Sequence, residues 1–254
     1  MAERIIGIMG AMPEEIDGVS ALLENSKREV LGMRAYTSGT INNIKTVVVF
    51  SRWGKVAAAA TAATLIHHYK VTEIFFTGVA GAIDPTLKIG DIVIGKRLIQ
   101  HDMDARPLMK QFEIPLLGIT YLETDTTYLG KVKEAFTPLL LNATLQVAVG
   151  ASVFEEFGID NPNLHIGDIA SGDRFFGSNV QKEALLEVLP TTLCVEMEGA
   201  AVAQVCFEHK IPFIIIRTIS DTADEQSHID FPKFIQNIPG RYAVCMIKQL
   251  FGSI

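Results

Sequence analysis

Short runs of isoleucine, valine and phenylalanine recur along the chain (RIIGIM, KTVVVF, EIFFTGVAG, DIVIGKRL, FIIIRTI), and stretches with helical periodicity stand between most of them. This alternation limits the fold more than any other feature. A run that is apolar at consecutive positions has to be covered on both faces, and helices interposed between such runs provide the cover. The pattern predicts the α/β class, as a three-layer α/β/α sandwich around a central, mixed, twisted sheet.

Local signals place the elements. PEEIDGVSALLEN sets Ile16, Val19, Leu22 and Leu23 on one helical stripe. GKVAAAATAATLIHHY, TTYLGKVKEAFTPLLL, QKEALLEVL and GAAVAQVCFEH read as further helices. MRAYTSGTI and KTVVVFSR flank Asn42-Asn43, a hairpin turn. LQVAVGASV and GDIASGDRFF read as strands, and GVAG at 78–81 as a glycine turn behind EIFF. The last helix, from FPKFIQ to MIKQLF, is expected to break near Pro239-Gly240. No linker or repeat divides the chain, so residues 1–254 read as one domain, and 48% hydrophobic content supplies ample core.

A net charge of −7 without runs of like charge argues against a nucleic-acid partner, which requires a basic face. No apolar run approaches the roughly 18 residues of a membrane helix. MAERIIGIMGAMPEEI has acids but no basic leader or cleavage site, and reads as a first strand. Cys194, Cys206 and Cys245 are odd in number and form no CxxC, as expected of reduced core residues in a cytoplasmic protein. GVAG and GIMGAM lack the spacing of a dinucleotide site, and His101, Asp102 and Asp104 lack a metal-ligand spacing, so neither group is expected.

Polar residues gather at 12–15, 78–81, 171–176, 196–198 and 220–221, where strands are expected to end. Open α/β sheets bind ligands beyond the carboxyl ends of their strands, so five such clusters describe one pocket. Each cluster also has a plainer explanation. Pro13 suits the first position of a helix, with Glu14 and Glu15 favoured in its first turn by the dipole. Glu196 and Glu198, two apart, would share one face of a strand. Buried, they must be paired or hydrogen-bonded; at the protein's edge they would simply start a helix. Asp221 in SDTAD serves equally as a cap or turn residue. Arg217, inside an apolar strand, requires a carboxylate partner, with Glu15 and Glu196 as the candidates.

Taken in order, IGIMGAMPEEI, TGVAGAI, KIGDIVIG, SGDRFF, VEMEGAAVAQVC and RTISDTADEQSHIDF resemble the bacterial 5′-methylthioadenosine/S-adenosylhomocysteine nucleosidases of the nucleoside phosphorylase superfamily. The likeness spans nearly the whole chain and thins over 105–150 and at the C-terminus. It implies a nucleoside phosphorylase-like sandwich and a homodimer that needs neither metal nor cofactor. The implied reaction hydrolyses the N-glycosidic bond of small-molecule nucleoside thioethers, methylthioadenosine and S-adenosylhomocysteine, with 5′-deoxyadenosine as a further substrate, and releases adenine. By the same resemblance Glu15 activates water and Asp221 protonates the departing adenine at N7. Glu198 holds the ribose hydroxyls, Met197 packs beneath the sugar, and Glu196, Arg217 and Ser220 support the water and its surroundings. Gly81, Phe175 and Phe176 line the purine site. Met12 and Phe231 face the 5′ substituent, joined by Leu108 and Pro115 from across a dimer.

Elementary chemistry is consistent with that assignment. Adenine leaves poorly as an anion, so a proton must reach the ring as the C–N bond stretches, and carboxylates suit the oxocarbenium-like sugar. The sequence departs from the family pattern at Val79, at Arg52-Trp53, at Arg174 within SGDRF, and over 105–117. Two rivals within the superfamily stand beside it. A phosphorylase would use phosphate, with Arg52, Lys55 and Arg217 as anion ligands, although a carboxylate at Glu15 repels phosphate. An aminofutalosine hydrolase would differ only at the 5′ arm. A non-catalytic nucleoside-binding protein would need no acid and base together.

Overall fold

The computed structural model describes residues 3–224 and 227–253, apart from the side chains of 227–230, so part of the ADEQSHIDF motif lies outside the described residues. Strand β1 (Ile5–Gly10) runs parallel between β4 (Ile44–Phe50) and β5 (Glu73–Ala82). Beyond β4, β3 (Arg34–Ile41) and β2 (Glu24–Leu31) continue the sheet antiparallel. On its other side β5 has two neighbours, β10 (Phe213–Asp221) in parallel and β9 (Thr192–Glu196) antiparallel. β10 pairs with β6 (Ile92–Gln100), β6 with β8 (Leu164–Ser171), and β8 with β9; the two-residue β7 (Leu122–Glu123) leans on β6. The sheet therefore closes on itself through β5, β10, β6, β8 and β9, and leaves β1, β4, β3 and β2 as an open wing.

Strand periodicity sends alternate side chains to two separate cores. Phe75, Ile214 and Ile216 join Val132, Phe136 and Met246 of helices α3 (Thr126–Leu141) and α9 (Pro239–Ser253). Ile74, Phe76 and Ile215 join Ala62, Leu65, Ala203 and Cys206 of α2 (Lys55–His67) and α7 (Gly199–His209). FIII is apolar at every position because both of its faces are covered. Each such side chain contributes about 1.5–3 kcal/mol on burial. The remaining helices are α1 (Pro13–Ile16), α4 (Thr144–Val149), α5 (Ala151–Glu156), α6 (Asn179–Val188) and α8 (Ser227–Asn237). No helix among the described residues is long and apolar enough to cross a membrane.

Several local readings hold. Asn42 and Asn43 both adopt positive φ between Ile41 and Ile44, as a two-residue hairpin turn requires. The last helix breaks between Asn237 and Pro239. Cys194 and Cys206 are buried and Cys245 is partly so.

Three readings are corrected, and one strand has none. LQVAVGASV is helical: Leu145 and Val149, four apart, are buried, while Val147 between them is 80% exposed. PEEIDGVSALLEN holds only one α turn and one 3₁₀ turn, because the backbone leaves the helix at Asp17 and turns at Gly18 (φ +78°), although Ile16, Val19 and Leu23 still share one core. The strand that follows, β2, carries exposed and mostly polar side chains and so has no apolar period to betray it. GVAG is not a turn but the second half of β5.

Candidate active site

Glu15, Glu196, Glu198, Asp221 and Arg217 are each at most 7% exposed, and the four carboxylates line a single cleft. Four acids together are tolerable only if something compensates each. Glu15 sits on α1, directly behind β1. Its Oε2 accepts hydrogen bonds from the backbone N–H groups of Ala11 (2.5 Å) and Met12 (3.0 Å), and its Oε1 from that of Val79 (3.0 Å). Gly78 makes this approach possible, since a Cβ there would stand 2.8 Å from Oε1 and 3.3 Å from Nη1 of Arg217. Burial lifts the Glu15 carboxyl above the usual range, opposed by Arg217 and the three N–H groups.

Glu196 ends β9 and ties several elements together. Arg217 of β10 donates to its Oε2 from Nη2 (2.5 Å) and Nε (3.2 Å). The backbone N–H groups of Glu198 (3.1 Å) and Gly199 (2.8 Å) donate to the same oxygen, so the carboxylate covers the start of α7. The Ser171 hydroxyl donates to Oε1 and accepts from the N–H of Ala200 (2.7 Å). Arg217 is completed by the carbonyls of Ile216 (2.9 Å) and Phe76 (3.4 Å), with its guanidinium 4.2 Å from the centre of the Phe76 ring. Of the two candidate partners for Arg217, Glu196 is the hydrogen-bonded one, and Glu15 acts through its field.

The two acids of VEME do not share a strand face. The strand stops at Glu196, and Glu198 is the N-cap residue of α7, turned the other way so that its Oε1 accepts from the N–H of Gly54 (2.7 Å). Burial, reinforced by the charge of Glu196, pushes the Glu198 carboxyl upward. The small residues of GAAVA then let the helix close in: a Cβ on Gly199 would meet Ile215 at 3.0 Å and the Glu196 carboxylate at 3.1 Å. Asp221 ends β10, its Oδ2 accepting from the Ser220 hydroxyl (2.7 Å) and its Oδ1 from the N–H of Ala223 (2.9 Å). Gly81 is its neighbour across β5, where a Cβ would lie 3.0 Å from Oδ1.

Apart from Ser220 and Arg174, the rest of the wall is apolar or aromatic. Met12, Met197 and Val79 line it, Phe176 is buried with its ring edge-on to His101 at 5.2 Å, and Phe175 stands 45% exposed. Phe231 bridges the mouth, 5.9 Å from Phe175 and 6.3 Å from Trp53, both edge-to-face. The arrangement offers a buried, acidic interior beside an aromatic slot of the kind that holds a flat base and a polyhydroxylated sugar.

Comparison with known proteins agrees with this geometry. The family model of the phosphorylase superfamily matches residues 5–243. A 5′-methylthioadenosine/S-adenosylhomocysteine nucleosidase of Staphylococcus epidermidis is 32% identical over 232 residues, covering 91% of this chain and 92% of that one. The chain belongs to the phosphorylase superfamily. Within it, the chain is an N-glycosyl hydrolase of the nucleosidase group. The methylthioadenosine/S-adenosylhomocysteine nucleosidase of S. pneumoniae, solved with a transition-state inhibitor, superposes with a TM-score of 0.84 at 31% identity, covering 98% of this chain and 99% of that one. A futalosine hydrolase of Helicobacter pylori does so with a TM-score of 0.83 at 31% identity, covering 99% and 98%.

Of the residues expected in this nucleosidase site, the fold brings together Met12, Glu15, Gly81, Phe175, Phe176, Glu196, Met197, Glu198, Ser220, Asp221 and Phe231 around the cleft, with Arg217 behind Glu196. Leu108 and Pro115 do not line it within one chain. Leu108, Leu116 and Leu117 of that stretch are exposed, whereas Phe112 and Ile114 are buried. Asp102 and Asp104 are occupied elsewhere, Asp102 by Lys55 (2.5 Å) and Asp104 by Arg106 (2.5 Å). Gly54 escaped sequence reasoning, as did the role of Ser171 beside Glu196, although Ser171 lies within the 171–176 cluster. A backbone donor such as the Gly54 N–H leaves no side-chain signature, although its φ of +93° explains the glycine in SRWGK.

Proposed function

We propose that the protein hydrolyses the N-glycosidic bond of 5′-methylthioadenosine and S-adenosylhomocysteine, and of 5′-deoxyadenosine, releasing adenine. The observation that carries the reading is the contrast between two buried carboxylates on the same cleft. Glu15 receives three backbone N–H groups, which favour its ionised form, as a base needs. Asp221 takes one hydroxyl and one N–H, standing where Phe175 and Phe176 would hold a base. Ionised Glu15 takes a proton from water as its oxygen attacks C1′ of the ribose; the bond from C1′ to the base breaks, and Asp221 delivers a proton to N7 of the leaving adenine. Glu198 accepts the ribose hydroxyls. One of its oxygens is already engaged by Gly54, yet each carboxylate oxygen has two acceptor sites, so the pair of hydroxyls is still accommodated. Acid and base contribute roughly 10²–10⁴-fold each.

The phosphorylase reading loses its anion ligands. Arg52 donates to the carbonyl of Met33 (2.7 Å), Lys55 is paired with Asp102, and Arg217 with Glu196. The futalosine hydrolase neighbour keeps one second reading in play: hydrolysis of aminofutalosine, with the same adenine and a different 5′ arm. The experiment is adenine release from methylthioadenosine in phosphate-free buffer and again with phosphate added. Equal, rapid release in both supports hydrolysis; release only with phosphate overturns it; none from methylthioadenosine but release from aminofutalosine selects the second reading.

We also infer a cytoplasmic homodimer acting as a single domain, with no metal, cofactor, nucleic acid or membrane involved. The exposed Leu108, Leu116 and Leu117 beside the half-buried Pro115 support a self-associating face. Leu116→Asp is expected to halve the particle mass in sedimentation; an unchanged mass assigns the dimer contact elsewhere.

A further inference from the structure

The cleft is lined by acids within and by rings at its mouth, with one exception. Arg174 lines the outer part beside Phe175, is exposed, and forms no ion pair with any described residue, whereas Arg217 is neutralised by Glu196. Its backbone is fixed. The Arg174 N–H donates to the Gly172 carbonyl (2.8 Å), and the preceding Asp173 accepts from the Lys55 N–H (2.7 Å) and donates to Asp102 (2.9 Å). The edge-to-face contacts among Phe175, Phe231 and Trp53 make an apolar track at that same mouth. A guanidinium with no ionic partner among the described residues, mounted on a hydrogen-bonded loop beside an apolar track, is placed to receive an anion carried by the ligand.

We propose that Arg174 is a specificity-determining residue, binding the terminal carboxylate of nucleosides whose 5′ substituent ends in one, so that the carboxylate-bearing arm of S-adenosylhomocysteine is favoured over a bare methylthio arm. This rests on the nucleosidase reading of the cleft.

The test compares kcat/KM and calorimetric Kd for S-adenosylhomocysteine and methylthioadenosine in the wild type, Arg174→Gln and Arg174→Glu, with the 5′-(3-carboxypropylthio) analogue, which keeps the carboxylate but lacks the α-ammonium, and its methyl ester as a neutral probe. An exposed charge pair predicts that the preference for the acid over the methylthioether falls roughly three- to tenfold in Arg174→Gln, and further in Arg174→Glu. In the wild type, added salt lowers the preference. The ester is expected to resemble the methylthioether and to be insensitive to either substitution. A preference identical in all three proteins, or one that the ester retains, overturns the proposal. If the wild type releases adenine from neither nucleoside, the nucleosidase reading fails, while the ratio of Kd values still decides the role of Arg174.

Discussion

Gly78→Ala adds one methyl group at the most crowded point of the site. Its Cβ would meet Glu15 at 2.8 Å from Oε1 and 3.1 Å from Cδ, with Arg217 3.3 Å away. Ordinary contact begins near 3.4 Å, so the carboxylate has to retreat by about half an ångström, because the backbone of β5 is clamped between β1 and β10. Retreat takes Oε1 off the Val79 N–H, now 3.0 Å away. A buried N–H left without an acceptor costs about 1–3 kcal/mol, and overpacking costs a similar amount. At roughly 2–4 °C per kcal/mol for a chain of this size, a clear fall in Tm is expected. If Glu15 is the base, as proposed, displacement by this distance is expected to lower kcat up to about 10²-fold, with KM moving less, since Glu198 and the aromatic wall are untouched. Gly130→Ala is the control. Its Cβ would meet nothing within 4 Å in the middle of α3, so it should keep full activity and gain up to about 1 kcal/mol. The assay is continuous adenine release together with a thermal melt. Wild-type kcat in Gly78→Ala would refute the claim that the position of Glu15, fixed by its three backbone donors, is what activates water.

Three further outcomes follow from the same geometry. Asp221→Asn is expected to lower kcat about 10²–10⁴-fold while leaving the melt close to wild type, and ribosides whose leaving group needs no proton should lose far less; equal losses on both would remove Asp221 as the acid. Because burial raises the Glu15 carboxyl, the base is protonated, and the rate lost, as pH falls through a value above the ordinary 4.5; the acid limb of kcat/KM should therefore lie above 4.5, and a limb at or below it contradicts the assignment. Glu196→Gln strands Arg217 in the interior and is expected to cost about 3–5 kcal/mol, a Tm drop of roughly 6–20 °C, measurable whether or not substrate is present.

The legible parts of this molecule were those where side chains carry the constraint. FIIIRTI betrays a strand covered on both faces, Asn42-Asn43 a turn that needs two positive φ values, and the buried acids of VEME a partner such as Arg217. What stayed hidden is carried by backbone or by distant pairing. Closure of the ring depends on β5 meeting β10, some 140 residues away in sequence, and neither strand records its neighbour. β2 is held by its ladder with β3 while its mostly polar side chains face solvent, so nothing in ENSKREVL alternates. In LQVAVG the alternation at every second residue is real but incidental, since a helix buries only Leu145 and Val149 of that set.

Glu196 joins a strand end, a helix start, a buried arginine and a neighbouring serine through one carboxylate. The atoms that orient the interior of the cleft are therefore the atoms that hold β8, β9, β10 and α7 in register, and the free protein must already present that interior in its working shape. Substitutions there are coupled to folding and leave little room for gradual change. The mouth, where Trp53, Arg174 and Phe231 carry no such duty, is where the lining of the cleft can change without loss of the scaffold. A protein built this way is free to change what it recognises long before it can change what it does.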